Sequence, residues 1–469
     1  MKNVSVMSSC FYISQIFIVC ILHLSIKCVC SFDAENIVDD SASGPNKFPK
    51  FSSVRDILPV ILWWTDSLFP HLEKDEGVIV QCPKSQCLAT RNRKLLNDER
   101  TRAVMFYGTD IRAYHMPLPR KPWHEWCLLH EESPLNNYLL SHLPALKLFN
   151  HTATFREESD YPLTSQSIIS KEYLLDRSPV PVAEKNRLRR GGLAPVLYVQ
   201  SHCDVPSYRD RYVEELMKYI EIDSIGKCLN NKKIEEGLED PVESMNHDNF
   251  HKHIAQYKFH IAFENAICDD YMTEKLFRPI HVGSVPVYLG SSRASKWMPS
   301  NQTLISVDEF SNPASLAEFL KNLDENDDLY TQYLSYKDDG ITNQFLSQHL
   351  SNRPWGVNEP GQFDFITGFE CYVCDKLLER IEVEKAHVLD PNIPLMDPKT
   401  AKYNHMGCPL PDSTFGGLLD EVITEDGFIS WKEDYWSMLD QATALKQMIL
   451  AGEKNSDKLF EYIERLHEH

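Results

Sequence analysis

The densest group of chemically useful side chains begins at Phe263-Glu264-Asn265. It resumes at Asp270-Tyr271-Met272-Thr273-Glu274-Lys275, and two glycines, Gly283 and Gly290, follow. An apolar segment enters this group and a helical pattern leaves it. Backbone N–H groups at a helix start attract anions, and the macrodipole reinforces them. Lys275 in the first turn adds positive charge, and Glu274 can accept hydrogen bonds, for instance from a ribose diol. Tyr271 offers a phenol and a flat face, while Gly283 and Gly290 allow close approach of another group. The same residues also suit plain helix capping, with Thr273 as the cap and Glu274 favourable in the first turn.

These residues need strands to position them. Pro59 to Trp64, Ala103 to Gly108, Trp126 to His130 and Ala145 to Asn150 are short apolar runs bounded by turn residues, as in central strands of an α/β sheet. A polar stretch from Asp176 to Gly192, ending in KNRLRRGG, has the composition of an exposed linker. Beyond it, strand and helix patterns alternate. Val196 to Ser201, Phe259 to Asn265 and Ser284 to Ser291 read as strands. Arg209 to Ile220, Thr273 to Ile280 and Pro313 to Leu323 read as helices. The expected fold class is α/β, with parallel sheets and crossover helices. Two such units define a cleft, a common ligand site. Trp431 to His469 reads as a long acidic helical tail.

The chain has 469 residues and a formal net charge of −20, which disfavours nucleic-acid partners. Phe11 to Ile26 is mostly apolar and closed by Lys27, a signal-anchor or a cleaved signal peptide. Either sends the remainder into the secretory lumen. Of the 13 cysteines, Cys10, Cys20, Cys28 and Cys30 lie in or beside this segment, and the nine downstream are an odd number, so at least one is expected to stay unpaired within the chain. Cys82, Cys87, Cys371, Cys374 and Cys408 are the disulfide candidates of an oxidising lumen. The alternative for Cys371, Cys374 and Cys408 is part of a zinc site, with His405 as stand-in fourth ligand. His247 and His251 have helical pair spacing but no evident third ligand, and read as surface residues. Asn150-His-Thr and Asn301-Gln-Thr are N-glycosylation sequons.

The segment FEN-x4-DYMTEKLF-x5-GSVPVYLGS, residues 263 to 291, resembles the signature of the α-1,3-fucosyltransferase family, glycosyltransferase family 10. Val199 to Cys228, HEESP (His130 to Pro134) and LFNHTATFREESD (Leu148 to Asp160) resemble further elements of that family. The resemblance spans about Pro59 to Cys374. Ala266 and Ile267 depart from the usual residues after FEN. PVILWWTDS and HEESP resemble a divergent branch associated with O-fucosylation of Ser or Thr in small cysteine-rich modules.

The resemblance implies a GT-B fold: two Rossmann-like domains with a cleft between them, here preceded by the signal-anchor. It implies residues 1–32 as cytosolic stub and anchor, 33–50 as stem and 51–184 as the acceptor domain. Residues 185–368 would form the GDP-fucose-binding domain and 369–469 a disulfide-linked tail. It implies inverting transfer of L-fucose from GDP-fucose to an acceptor hydroxyl, with no metal and no other cofactor. Asp269-Asp270, the acidic pair beside the site, then reads as a polar network. Glu132 matches the family's catalytic base. Arg209, Asn265, Tyr271, Glu274, Lys275 and Arg156 match positions that would bind GDP-fucose, with Arg211 competing for the role of Arg209. The implied setting is a single-pass type II protein of the Golgi or endoplasmic-reticulum membrane, with its catalytic part lumenal. The other readings are α-1,3-fucosylation of N-acetylglucosamine on glycans and a catalytically silent lumenal binding module.

Overall fold

The computed structural model describes residues 55, 57–71, 77–234, 237–238, 244–357, 362–410 and 425–468. The expected anchor and stem, 1–50, lie outside the described residues. Among the described residues no helix is long and apolar enough to cross a membrane.

The first sheet has six strands: β1 Val60–Trp63, β2 Val78–Gln81, β3 Gln86–Thr90, β4 Thr101–Tyr107, β5 Glu125–His130 and β6 His151–Thr154. Their order is β2-β3-β1-β4-β5-β6, and only the edge pair β2–β3 is antiparallel. The second sheet is wholly parallel, in the order β11-β10-β9-β7-β8. Its strands are β7 Val196–Gln200, β8 Ile222–Gly226, β9 Phe259–Phe263, β10 Val285–Leu289 and β11 Ile305–Ser306. The fold is α/β with two parallel-type sheets, as the alternating pattern predicts.

Five helices matter for the site: α1 Val182–Arg190, α2 Arg209–Leu216, α3 Glu274–Val282, α4 Phe365–Leu389 and α5 Glu425–Leu450. The first sheet is buried on both faces, which explains its unbroken apolar runs. Val104, Phe106, Trp126 and Leu128 share one core with Ala442, Leu445 and Met448 of α5. Ala103, Met105, Cys127 and Leu129 share the other with Phe369, Val373 and Leu377 of α4. α4 is stapled to the β2–β3 hairpin by Cys82–Cys371 and Cys87–Cys374. It is also held by Trp63 Nε1 donating to Glu370 Oε1 at 2.7 Å. Among the described residues Cys203–Cys228 and Cys268–Cys408 are the other disulfides, and Cys127 is a free buried thiol.

Several expectations are corrected. Ala145 to Asn150 is not a strand: a helical turn, Leu143–Leu146, precedes β6 at His151. Pro144 in its first turn favours helix there. The expected linker at 176–192 contains α1, and its Lys185 is fully buried. That amine donates to the carbonyls of Tyr257 and Gly283, and burial pushes its pKa down to about 7. The tail is not one helix, since α5 is followed by a separate helix, Leu459–His467. His251 is buried rather than on the surface, its Nε2 against the carbonyl of Met245 at 3.1 Å.

Candidate active site

The parallel strands β4 and β5 end side by side, with Tyr107 opposite Leu129. The pleat brings Glu131, two residues on, to the Tyr107 side, and Tyr107 Oη donates to Glu131 Oε1 at 3.4 Å. Gln166 Nε2 donates to the Glu131 carbonyl at 2.8 Å. Burial raises the Glu131 carboxyl to about 7, with the charge of Glu132 adding to the shift. Glu132 is exposed, and its charge is felt at both Tyr107 and Tyr271. Ser133 then closes the turn: its Oγ accepts from Leu135 N at 3.2 Å and donates to Asn265 Oδ1 at 2.8 Å. That bond joins the E-S-P turn of the first sheet to the F-E-N end of β9 in the second.

On the second sheet, β9 runs into Glu264, which is fully buried. Its carboxylate accepts from both the N–H and the hydroxyl of Thr273, each at 2.8 Å. Thr273 caps α3, its Oγ1 accepting from Lys275 N at 3.3 Å. Lys275 Nζ lies 3.1 Å from Thr273 Oγ1, 3.2 Å from Glu274 Oε1 and 3.8 Å from Glu264 Oε2. Burial pushes the Glu264 carboxyl up, partly opposed by Lys275. Burial also pushes Glu274 up, but Lys275 and Arg278 outweigh it and hold that carboxyl down at about 2. A Cβ at Gly290 would collide with the Tyr288 hydroxyl and stand 2.9 Å from Glu264 Cγ, so this glycine permits the buried Glu264.

Three predicted site residues are placed differently from expectation. Tyr271 is only 3% exposed, its ring edge-on to Phe155 at 5.2 Å, so it presents no flat face to a ligand. Burial drives its hydroxyl pKa well up, and Glu264, Glu274 and Glu132 add to the effect. Arg209, 1% exposed, donates to the carbonyls of Phe263 at 3.0 Å and His202 at 2.7 Å. A buried guanidinium must find such partners, and neutral carbonyls do not cancel its charge. Arg156 donates to the Gly407 carbonyl at 3.2 Å and sits 3.5 Å from Asp270 and 3.8 Å from Asp269. Asp270 also accepts from Glu157 N at 3.2 Å and Arg293 Nη1 at 3.1 Å.

The structure therefore brings Glu132, Asn265, Tyr271, Glu274 and Lys275 into one region and sets Arg209 behind it. Arg156 faces the acidic pair instead. Ser133 and Glu264, given no role in the site from sequence, hold the others, and Thr273 is the helix cap that the sequence suggests. Glu264 was legible in principle, being a carboxylate directly after an apolar strand, where burial demands donors. The zinc alternative falls, because Cys371, Cys374 and Cys408 are all in disulfides and His405 bonds Thr152 Oγ1 at 2.9 Å. Among the described residues one further group has metal-like spacing, Cys203, Asp210 and Cys228, and its cysteines are bonded to each other. Asn150 is buried: its Oδ1 accepts from Trp126 N and Arg120, and its Nδ2 donates to Lys399 O. It has no room for the glycan expected from its sequon, whereas Asn301 is exposed.

Comparison with known proteins identifies the family of the chain. The model "Glycosyltransferase family 10 (fucosyltransferase) C-term" matches residues 190–389, and "Fucosyltransferase, N-terminal" matches 57–165. The chain is 42% identical over 402 residues to "GDP-fucose protein O-fucosyltransferase 3" of Xenopus tropicalis, covering 84% of this chain and 81% of that one. It is 47% identical over 360 residues to the Homo sapiens protein of the same name, covering 76% and 72%. Among solved structures, "Crystal Structure of alpha1,3-Fucosyltransferase with GDP-fucose" aligns at a TM-score of 0.39 and 15% identity, over 73% of this chain and 94% of that one. The two family matches and the extent of these identities place the chain in one family: it belongs to glycosyltransferase family 10, the fucosyltransferases.

Proposed function

We propose that this fucosyltransferase moves L-fucose from GDP-fucose to a Ser or Thr hydroxyl of a cysteine-rich protein module. The chemistry is an inverting displacement that needs no metal. The observation that carries this reading is the Ser133–Asn265 hydrogen bond, which sets Glu132 beside the loop that opens α3. The names of the relatives support GDP-fucose as donor and protein as acceptor.

In this reading a bond forms between the acceptor oxygen and fucose C1 as the bond from C1 to the β-phosphate oxygen breaks. The electron pair leaves with GDP, and the acceptor proton passes to the Glu132 carboxylate. Negative charge grows on the diphosphate. Lys275, the α3 N-terminus and the uncancelled charge of Arg209 oppose it, a type of stabilisation worth roughly 10²–10³ in rate per donor. Glu274, held ionised, accepts from the ribose diol. Tyr271 and Asn265 fix the loop rather than stack on the ligand.

The rest of the proposal concerns organisation. Residues 51–184 serve as acceptor domain and 185–368 as donor domain of a GT-B arrangement, and 369–469 form the tail. Residues 1–32 anchor a type II protein in the Golgi or endoplasmic-reticulum membrane.

The test is GDP release from GDP-fucose by the purified lumenal chain with EDTA present. A folded cysteine-rich module and an N-acetylglucosamine-terminated glycan are offered in parallel. Turnover on the module alone is expected, with GDP inhibiting and UDP not. Turnover on the glycan alone would replace the acceptor assignment, and loss of activity in EDTA would overturn metal independence.

A further inference from the structure

The family models end at residue 389, yet the segment beyond it is built into the donor-side loop. That loop, between β9 and α3, carries Asn265, Tyr271 and Thr273 without regular structure of its own. It includes Asp270 in the left-handed region at φ 64°, a conformation that a non-glycine residue keeps only when its surroundings hold it.

The surroundings come from the C-terminal segment at three points. Cys268, midway between Asn265 and Tyr271, is bonded to Cys408. The carbonyl of the adjacent Gly407 accepts from Arg156, whose guanidinium also lies against Asp270. Met406 and Cys408 share an apolar cluster with Cys268, Tyr271 and Phe155, and that cluster extends to Ala442, Leu445 and Met448 of α5. Behind the disulfide stands a strut. Tyr435 of α5 donates to the Cys408 carbonyl at 3.2 Å, and its ring packs on His142 at 4.3 Å. His142 Nε2 in turn bonds the Tyr435 carbonyl at 2.7 Å.

We propose that the Cys268–Cys408 latch and the Tyr435 strut make the C-terminal segment a positioning part of the nucleotide-diphosphate site. They hold Asn265 and the start of α3 ready for the ligand. This rests on the donor reading above. A loop left free must be ordered when ligand binds, and that ordering is lost from the affinity.

The experiment uses the lumenal chain and GDP as the probe, by titration calorimetry, with a melting curve for each variant. Cys268→Ala with Cys408→Ala should raise the Kd for GDP by about tenfold or more, and Tyr435→Phe by a smaller factor. Cys87→Ala with Cys374→Ala is the control, since that disulfide lies on the opposite face of the first sheet. It should lower the melting temperature and leave the Kd unchanged. Equal Kd in the latch variant and the wild type, or an equal rise in the control, would overturn the latch. If the latch variant does not fold, Tyr435→Phe decides: weaker GDP binding supports the proposal and wild-type binding overturns it. A wild type that does not bind GDP would remove the donor reading itself.

Discussion

Glu131 and Glu132 are neighbours with the same functional group and different surroundings, so their chemistry separates. Glu132→Gln is expected to lower kcat by about 10²–10⁴ while the Kd for GDP stays the same, because general-base catalysis contributes on that order. Initial rates and calorimetry on one preparation check the split. Lys275→Ala should instead reduce both GDP affinity and turnover, the latter by about 10²–10³. Glu131 has a separate signature in stability. Its folded pKa, about 7, stands above the ordinary 4.5 because burial penalises the charge. Between those values the folded chain binds a proton that the unfolded chain has lost. Its contribution is therefore full below about pH 4.5 and disappears as pH rises through 7. Its upper limit is about 3 kcal/mol at 1.36 kcal/mol per unit. Denaturant titrations at pH 5 and pH 8 should show a fall in the wild type that Glu131→Gln flattens.

Among elements, the segment from β9 through α3 to β10 is the most constrained. Gly290→Ala should abolish GDP binding more completely than it lowers stability, since the added Cβ drives into Tyr288 and into Glu264, whose carboxylate holds the α3 cap. A Kd measurement beside a melting curve separates the two. α4 makes the contrasting case. It lies far along the chain from β2 and β3, yet two disulfides close loops of 289 and 287 residues between them. Removing either should cost about 2–4 kcal/mol of stability, with GDP affinity kept, by the same pair of measurements.

For the whole molecule, the two sequons are not equivalent. Expressed through a secretory pathway, the protein should carry a glycan at Asn301 and none at Asn150, read by peptide mass after enzymatic deglycosylation. A glycan on Asn150 would require opening of the hydrogen bonds to Trp126, Arg120 and Lys399.

The sequence by itself determined the α/β class, because strand and helix periods are local properties of neighbouring residues. It also determined the F-E-N, D-Y-M-T-E-K and G-S-V-P-V segment, because a strand, a capped helix and two glycines follow one another within thirty residues. It did not show that Ala145 to Asn150 avoids strand or that 176–192 folds into α1, since apolarity does not decide helix from strand and the buried Lys185 finds its partners, Tyr257, Gly283, Ser284 and Tyr330, far along the chain. Nor did it show what Arg209, Tyr271, Arg156 and Asn150 touch. Their partners, Phe263, Phe155, Gly407 and Lys399, are brought to them by packing between remote parts of the chain, and a side chain's task is set by what packing leaves for it to bond.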